Sequence, residues 1–285
     1  MRHLKLAGLL AAAALASVAA PLLAKGPAVA AAKPAADTAA RLDAAIAGSH
    51  RSEANRARDA FRHPKETLLF FGLTPDKTVV EISPAGGWYT DILAPVLKDR
   101  GLYIAAHNNP AGSAGAQKQR AAFVERMKAN PDLFGKVVVT SFGKGIENNI
   151  AAPGSADMVL TFRNVHNWQM AGFAPEAFRA FYAALKPGGV LGVVEHRLPE
   201  DRTQTDATRS SGYVKESEVV RLAEAAGFKL VASSEINANP RDTADWPKGV
   251  WTLPPNYAEG DKDRAKYQAI GESDRMTLKF VKPKV

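Results

Sequence analysis

Thr78–Asp91 reads TVVEISPAGGWYTD. The apolar run Val79, Val80 and Ile82 leads into a Pro/Gly turn at Pro84–Gly87. Ile92, Leu93, Val96 and Leu97 then recur at helical spacing. The pattern is a strand, a tight turn and a helix. Such a unit lets backbone N–H groups and a helix N-terminus approach a ligand closely. A turn that only joins a strand to a helix reads the same way, so the rest of the chain must decide. Glu81 lies near the strand's C-terminal end, the edge at which open α/β sheets bind ligands.

Outward from this stretch, strands and helices alternate. Strands are expected at Leu102–Ala106, Lys136–Phe142, Asp157–Phe162, Val190–Glu195, Phe228–Glu235 and Arg275–Val281. Helices are expected from Pro64 to near Gly72, and over Ala116–Ala129, Pro175–Leu185 and Lys215–Ala226. That alternation implies a mainly parallel sheet. The last two strands have no convincing full helix between them, which implies an antiparallel final strand.

The chain has 285 residues, no cysteine and a formal net charge of +8. The missing cysteines exclude disulfides, thiol catalysis and thiolate metal sites. The first 24 residues have the pattern of a secretory leader: Arg2 and Lys5, the apolar run Leu6–Ala16, and small residues at Val18–Ala20 and Ala24. An N-terminal helix or anchor is the alternative. Leader removal leaves 35 basic against 29 acidic residues, spread along the chain. That spread argues against nucleic-acid binding. The expected organisation is a signal peptide over 1–24, an Ala/Pro-rich linker over 25–36 and one domain over 37–285 in the periplasm. No membrane span is expected after cleavage, and the expected partner is a small-molecule substrate. Arg51, Arg56, Arg58 and Arg62 form a basic stretch. It reads as a lip over an anionic ligand or as a solvated helix face.

The order of elements resembles the class I S-adenosylmethionine-dependent methyltransferases, over about Ala54–Pro283. Four landmarks carry the resemblance: Glu81–Gly87, Ala156–Phe162, Leu185–Val190 and Glu224–Phe228. In finer detail the chain is similar to a group of exported bacterial methyltransferases, through Phe61–Pro64, Pro84–Leu93, Asn164–Trp168 and Asn239–Asp242. The resemblance implies a Rossmann-like, doubly wound, seven-stranded α/β sheet, mostly parallel with an antiparallel last strand. It implies S-adenosylmethionine as cofactor, held by Glu81, Ser83, Ala85, Gly86, Gly87, His107 and Asn164. It also implies methyl transfer to a small molecule. Ser83 and Ala85 stand where the family usually has glycine. Alanine favours φ below zero, so a more crowded turn is expected. His107 stands where the family usually has an acid that accepts both ribose hydroxyls, and an imidazole cannot do so bidentately. A ligand-binding protein with a degenerate cofactor site is the alternative reading.

His166, Glu195 and His196 follow the fourth and fifth strands and are the candidate catalytic residues. They read as a general base with its partners, as metal ligands without the usual tight spacing, or as polar groups closing the strand ends. Residues 237–272 form a long insertion, read as a lid or substrate loop. Its Trp246, Trp251 and Tyr257 would stack on an acceptor or pin the loop. Arg209 and Tyr213 form a weaker candidate rim.

Overall fold

The computed structural model describes residues 28–203 and 210–284. The expected leader over 1–24 and Arg209 lie outside the described residues. The elements in order are α1 (Ala28–Ala47), the one-turn α2 (Glu53–Arg56) and α3 (Asp59–Arg62), α4 (Pro64–Phe71), β1 (Thr78–Ile82), α5 (Thr90–Leu97), β2 (Leu102–Asn108), α6 (Ala114–Ala129), the short α7 (Pro131–Phe134), β3 (Val138–Phe142), β4 (Ala156–Phe162), α8 (Val165–Met170), α9 (Ala174–Ala184), β5 (Leu185–Leu198), β6 (Val214–Lys215), α10 (Glu216–Ala225), β7 (Lys229–Ser234), α11 (Arg264–Ile270) and β8 (Arg275–Val281). Helix α1 starts inside the stretch expected as a linker. Its run of alanines, the strongest helix formers, continues the helix through Pro34. No helix among the described residues is long and apolar enough to cross a membrane.

The sheet order is β3-β2-β1-β4-β5-β8-β7, with two-residue β6 pairing beside the end of β5. Pairs among β1 to β5 are parallel, while β8 runs antiparallel to both β5 and β7. This is the doubly wound α/β sheet with antiparallel closure that the sequence implies. The chain winds outward from β1 to β3, then crosses back to place β4 on the other side of β1. Strands β1 and β4 therefore flank the switch point, where a crevice opens above their C-terminal ends.

Both faces of the sheet are covered. Helix α9 puts Ala177, Phe178, Phe181 and Ala184 against one face, beside Val219, Leu222 and Ala223 of α10. Helices α1, α4 and α5 put Leu42, Leu68, Phe71, Ile92 and Leu93 against the other. Each such large side chain contributes roughly 1.5–3 kcal/mol by leaving water. Gly192 of β5 permits the close approach of α4: a Cβ there would lie 2.8 Å from Phe71 Cγ and 2.7 Å from Leu160 Cδ2.

Candidate functional site

A cavity of about 240 Å³ lies above the switch point. Glu81, Ser83, Pro84 and Ala85 line it from β1 and its turn, with Asn164 and His166 from the end of β4 and His196 from β5. Arg62 of α3, Trp88, Tyr89, Phe162, Arg163 and Trp251 close it. A larger open groove of about 1120 Å³ runs past Arg197, Glu200 and Ser217 and holds none of the expected site residues.

The turn corrects the crowding expected from Ser83 and Ala85. Both adopt the left-handed conformation, at φ +52° and +51°, as does Gly87 at +87°. The backbone thus follows a path that suits glycine even where side chains stand. Holding a non-glycine residue there costs about 1–2 kcal/mol. Ala85→Gly is therefore expected to stabilise the protein by about 1 kcal/mol, after allowing for the freer unfolded chain. The measurement is the denaturant midpoint at unchanged slope; an unchanged or lower midpoint would show a relaxed turn.

Gly86 and Gly87 do not line the cavity. A Cβ at Gly86 meets nothing within 4 Å, whereas one at Gly87 would collide with Arg126 Nη2 and lie 3.1 Å from Phe123. Gly87 is needed for packing against α6, where Arg126 pairs with the buried Asp91. The N–H groups of Ala85, Gly86 and Trp88 have no hydrogen-bond partner among the described residues.

His107 is also displaced from its expected role. Its side chain is fully buried, packs on Phe123 at 4.9 Å between ring centroids, and donates from Nε2 to the Ala85 carbonyl at 3.1 Å. Burial lowers its pKa, against the pull of that carbonyl. It props the turn from below and does not reach the cavity. Asn164 lines the cavity, but its amide nitrogen donates to Ile82 O at 3.1 Å and Phe162 O at 3.3 Å. It ties the ends of β1 and β4 together and leaves its carbonyl end for a ligand.

Glu81 is buried and accepts from Tyr103 Oη at 2.5 Å, and Tyr103 in turn meets Thr90 Oγ1 at 2.8 Å. Burial pushes the Glu81 carboxyl up to about 7, although the Tyr103 bond opposes it.

The strongest constellation joins the three candidate catalytic residues. Glu195 is fully buried and each oxygen accepts two donors. Oε2 takes Val165 N at 2.5 Å and His166 N at 3.3 Å, and Oε1 takes His166 Nδ1 at 3.0 Å and His196 N at 2.8 Å. The carboxylate therefore sits on the first turn of α8, where helix N–H groups favour negative charge. Because a carboxylate accepts, His166 Nδ1 carries the hydrogen. Nε2 is left as the ring acceptor on the cavity side. His196 lies beside it, with ring centroids 5.4 Å apart, and its Nδ1 meets Ser273 Oγ at 2.5 Å. Burial, reinforced by His166 and Arg163, holds His196 well below the usual histidine range, so it is neutral. One potential ligand atom from each of His166, Glu195 and His196 lies within 4.8 Å of the others. A metal there would have to displace donors that already saturate Glu195.

In the 237–272 insertion only Trp251 reaches the cavity, with its ring edge-on to His166 at 6.0 Å. Trp246 donates to Asp242 at 2.6 Å and Tyr257 lies under Arg264, so both pin the segment. Tyr213 is fully buried and bonds both Asp242 oxygens at 2.9 Å, which removes it from any rim. The basic stretch divides between the two readings, with Arg62 at the cavity wall as a lip would be and Arg56 exposed to solvent. Arg51 is buried in a bidentate pair with Asp59, and Arg62 is buried against Trp88 while lining the cavity. Tyr103 carries no sequence signal beyond a polar tip inside an apolar strand.

These residues fit one end of S-adenosylmethionine better than the other. Unpartnered turn N–H groups and the Asn164 carbonyl suit the carboxylate and amino groups of its methionine portion. At the end of β2 the nucleoside portion would meet His107, which is turned under the loop onto the Ala85 carbonyl. The cavity is also below the roughly 300–1,000 Å³ of ordinary ligand pockets, so it encloses part of such a ligand.

The fold is that of the class I S-adenosylmethionine-dependent methyltransferases. The chain is similar to a SAM dependent methyltransferase from Aquifex aeolicus, with a TM-score of 0.53 and 16% identity over 79% of this chain and 93% of that one. It is similar to the geranyl diphosphate C-methyltransferase of Streptomyces coelicolor A3(2), with a TM-score of 0.56 and 14% identity over 84% and 87%. It is also similar to the [4+2]-cyclase SpnF, with a TM-score of 0.55 and 16% identity over 87% and 94%. A cyclase among them means that the fold alone does not settle the reaction. No protein-family model and no curated protein sequence matches the chain.

Proposed function

We propose that the protein is a periplasmic S-adenosylmethionine-dependent methyltransferase acting on a small molecule. The observation that carries this reading is the Glu195–His166 pair at a cavity beside the β1 turn, in which Nδ1 bonds the carboxylate and Nε2 keeps no protein partner among the described residues. When bound, S-adenosylmethionine supplies an electrophilic methyl group on a sulfonium. His166 Nε2 takes the proton that an acceptor hydroxyl, amine or thiol loses as it attacks. Glu195 fixes the tautomer beforehand and stabilises the imidazolium afterwards. Neutral His196 and Trp251 position the acceptor, and the turn N–H groups and the Asn164 carbonyl hold the cofactor's amino-acid end. Export is supported by the leader-like pattern of residues 1–24.

Calorimetric titration with S-adenosylmethionine and S-adenosylhomocysteine tests the cofactor half. Micromolar binding, about −8 kcal/mol, is expected. Absence of heat at millimolar ligand would overturn the reading and leave a ligand-binding protein on a methyltransferase fold.

A further inference from the structure

Three arginines converge on one acid at the wall of the cavity, and a fourth, Arg163, lines that wall beside them. Arg58 Nε donates to Glu272 Oε1 at 2.5 Å, Arg62 Nε to Oε2 at 3.3 Å and Arg275 Nη1 to Oε2 at 3.1 Å. Arg163 is the fourth, and its charge weighs on Arg62 more than that of Arg58 or Arg275. Burial pulls Arg163 down to about 10, against the attraction of Glu272. Its guanidinium makes no hydrogen bond or ion pair among the described residues. Four guanidinium groups against Glu272 and the neighbouring Glu195, whose hydrogen bonds leave its charge in place, give a surplus of two positive charges.

The neighbouring acids are already engaged. Glu195 is saturated by four N–H donors, Glu81 is bonded to Tyr103 and Asp59 is paired with Arg51. Arg58 Nη2, Arg62 Nη2 and Arg275 Nε are buried without a hydrogen-bond partner. Uncompensated buried charge opposes folding strongly unless a counter-charge arrives. Arg62 and Arg163 line the cavity, with Arg58 and Arg275 behind them. Arg163 is also held at φ +61°, its N–H donating to Val194 O at 2.7 Å. Backbone held in that region is costly and clusters at ligand sites.

We propose that this cavity receives a dianionic oxyanion of the phosphate class, gripped by Arg62 and Arg163 and carried by something other than the cofactor. A single carboxylate, including that of the cofactor's methionine, offsets one of the two surplus charges. A phosphate group offsets two, and its oxygens match the forked donors of guanidinium. The remaining space is walled by Trp88, Phe162 and Trp251, which suits a small organic body on the phosphate. The inference goes beyond methyl transfer and does not depend on it.

The test titrates the full chain with inorganic phosphate, phenyl phosphate and acetate, with and without saturating S-adenosylhomocysteine. One phosphate per chain is expected, bound at least about tenfold more tightly than acetate. Arg163→Gln is expected to weaken phosphate at least about tenfold with its melting temperature intact, because that guanidinium holds no structural partner. Tighter binding of phenyl phosphate assigns the site to an organic phosphate; equal binding assigns it to the free anion. No saturation by about 10 mM, an affinity matching acetate, or indifference to Arg163→Gln overturns the proposal. Displacement by S-adenosylhomocysteine also overturns it, since the arginines would then be the cofactor's carboxylate anchor. If S-adenosylhomocysteine itself fails to bind, the methyl-transfer reading falls while the phosphate titrations still decide this one.

Discussion

Glu272→Gln is expected to destabilise the protein by about 3–5 kcal/mol, the range for removing one partner from a buried ion-pair network. Glutamine keeps the shape of the side chain, so the loss isolates charge. Glu272 is 4% exposed and is the only acid bonded to Arg58, Arg62 and Arg275 among the described residues. Burial alone would raise its pKa, yet Arg62, Arg275 and Arg58 pull it down to about 2 from an ordinary 4.5. A shift of that size corresponds to roughly 3 kcal/mol, in line with the mutational range. The sign follows from proton uptake. As pH falls, the unfolded chain protonates Glu272 first, so the native state loses ground. The contribution is whole above about pH 4.5 and disappears as pH falls through about 2. Urea denaturation of the wild type at pH 7, 4 and 3 should show the loss, and the variant should show a flatter profile over the same window. A destabilisation below about 1 kcal/mol at pH 7 would mean that solvent screens the cluster.

The same cluster shows where sequence reading stops. Arg58 and Arg62 stand out as part of a basic stretch, but Glu272 lies 214 and 210 residues away along the chain. Local charge pattern carries no information about a partner brought in by β8. The sheet is legible because apolar periodicity is local: the alternation over Arg275–Val281 marks the final strand, and it stands there. The two-residue β6 is too short to leave a periodic signal. Strand order puts His107 on the correct strand end but does not give its direction, which depends on how the turn above it closes. That turn defies local preference, since Ala85 adopts a conformation that an isolated alanine avoids. His166, Glu195 and His196 were brought together correctly, because strand order alone places the ends of β4 and β5 side by side.

Glu195→Gln is expected to cut turnover by about 10²–10⁴-fold, the span of general acid–base catalysis. A glutamine carries one acceptor oxygen where Glu195 uses two. Whichever way the amide is oriented, its NH₂ faces N–H donors: Val165 and His166 backbone on one side, His166 Nδ1 and His196 N on the other. If the NH₂ faces His166, Nδ1 must become the acceptor and the hydrogen moves to Nε2. The base then points its N–H at the acceptor and cannot take a proton. If the NH₂ faces the α8 backbone, two buried N–H groups lose their partner and the first turn of that helix is repelled. Both outcomes lower stability, by about 1–3 kcal/mol for each unsatisfied group. Nitrogen-15 NMR of the histidine rings separates the catalytic effect from the structural one without an assay. In the wild type at high pH, His166 should show a protonated Nδ1 and a bare Nε2; in the variant the pattern should reverse. Cofactor binding should change little, because the pair faces the acceptor side of the cavity. An unchanged tautomer together with unchanged turnover would remove His166 as the base and leave the Glu195 carboxylate as the anchor of α8 alone.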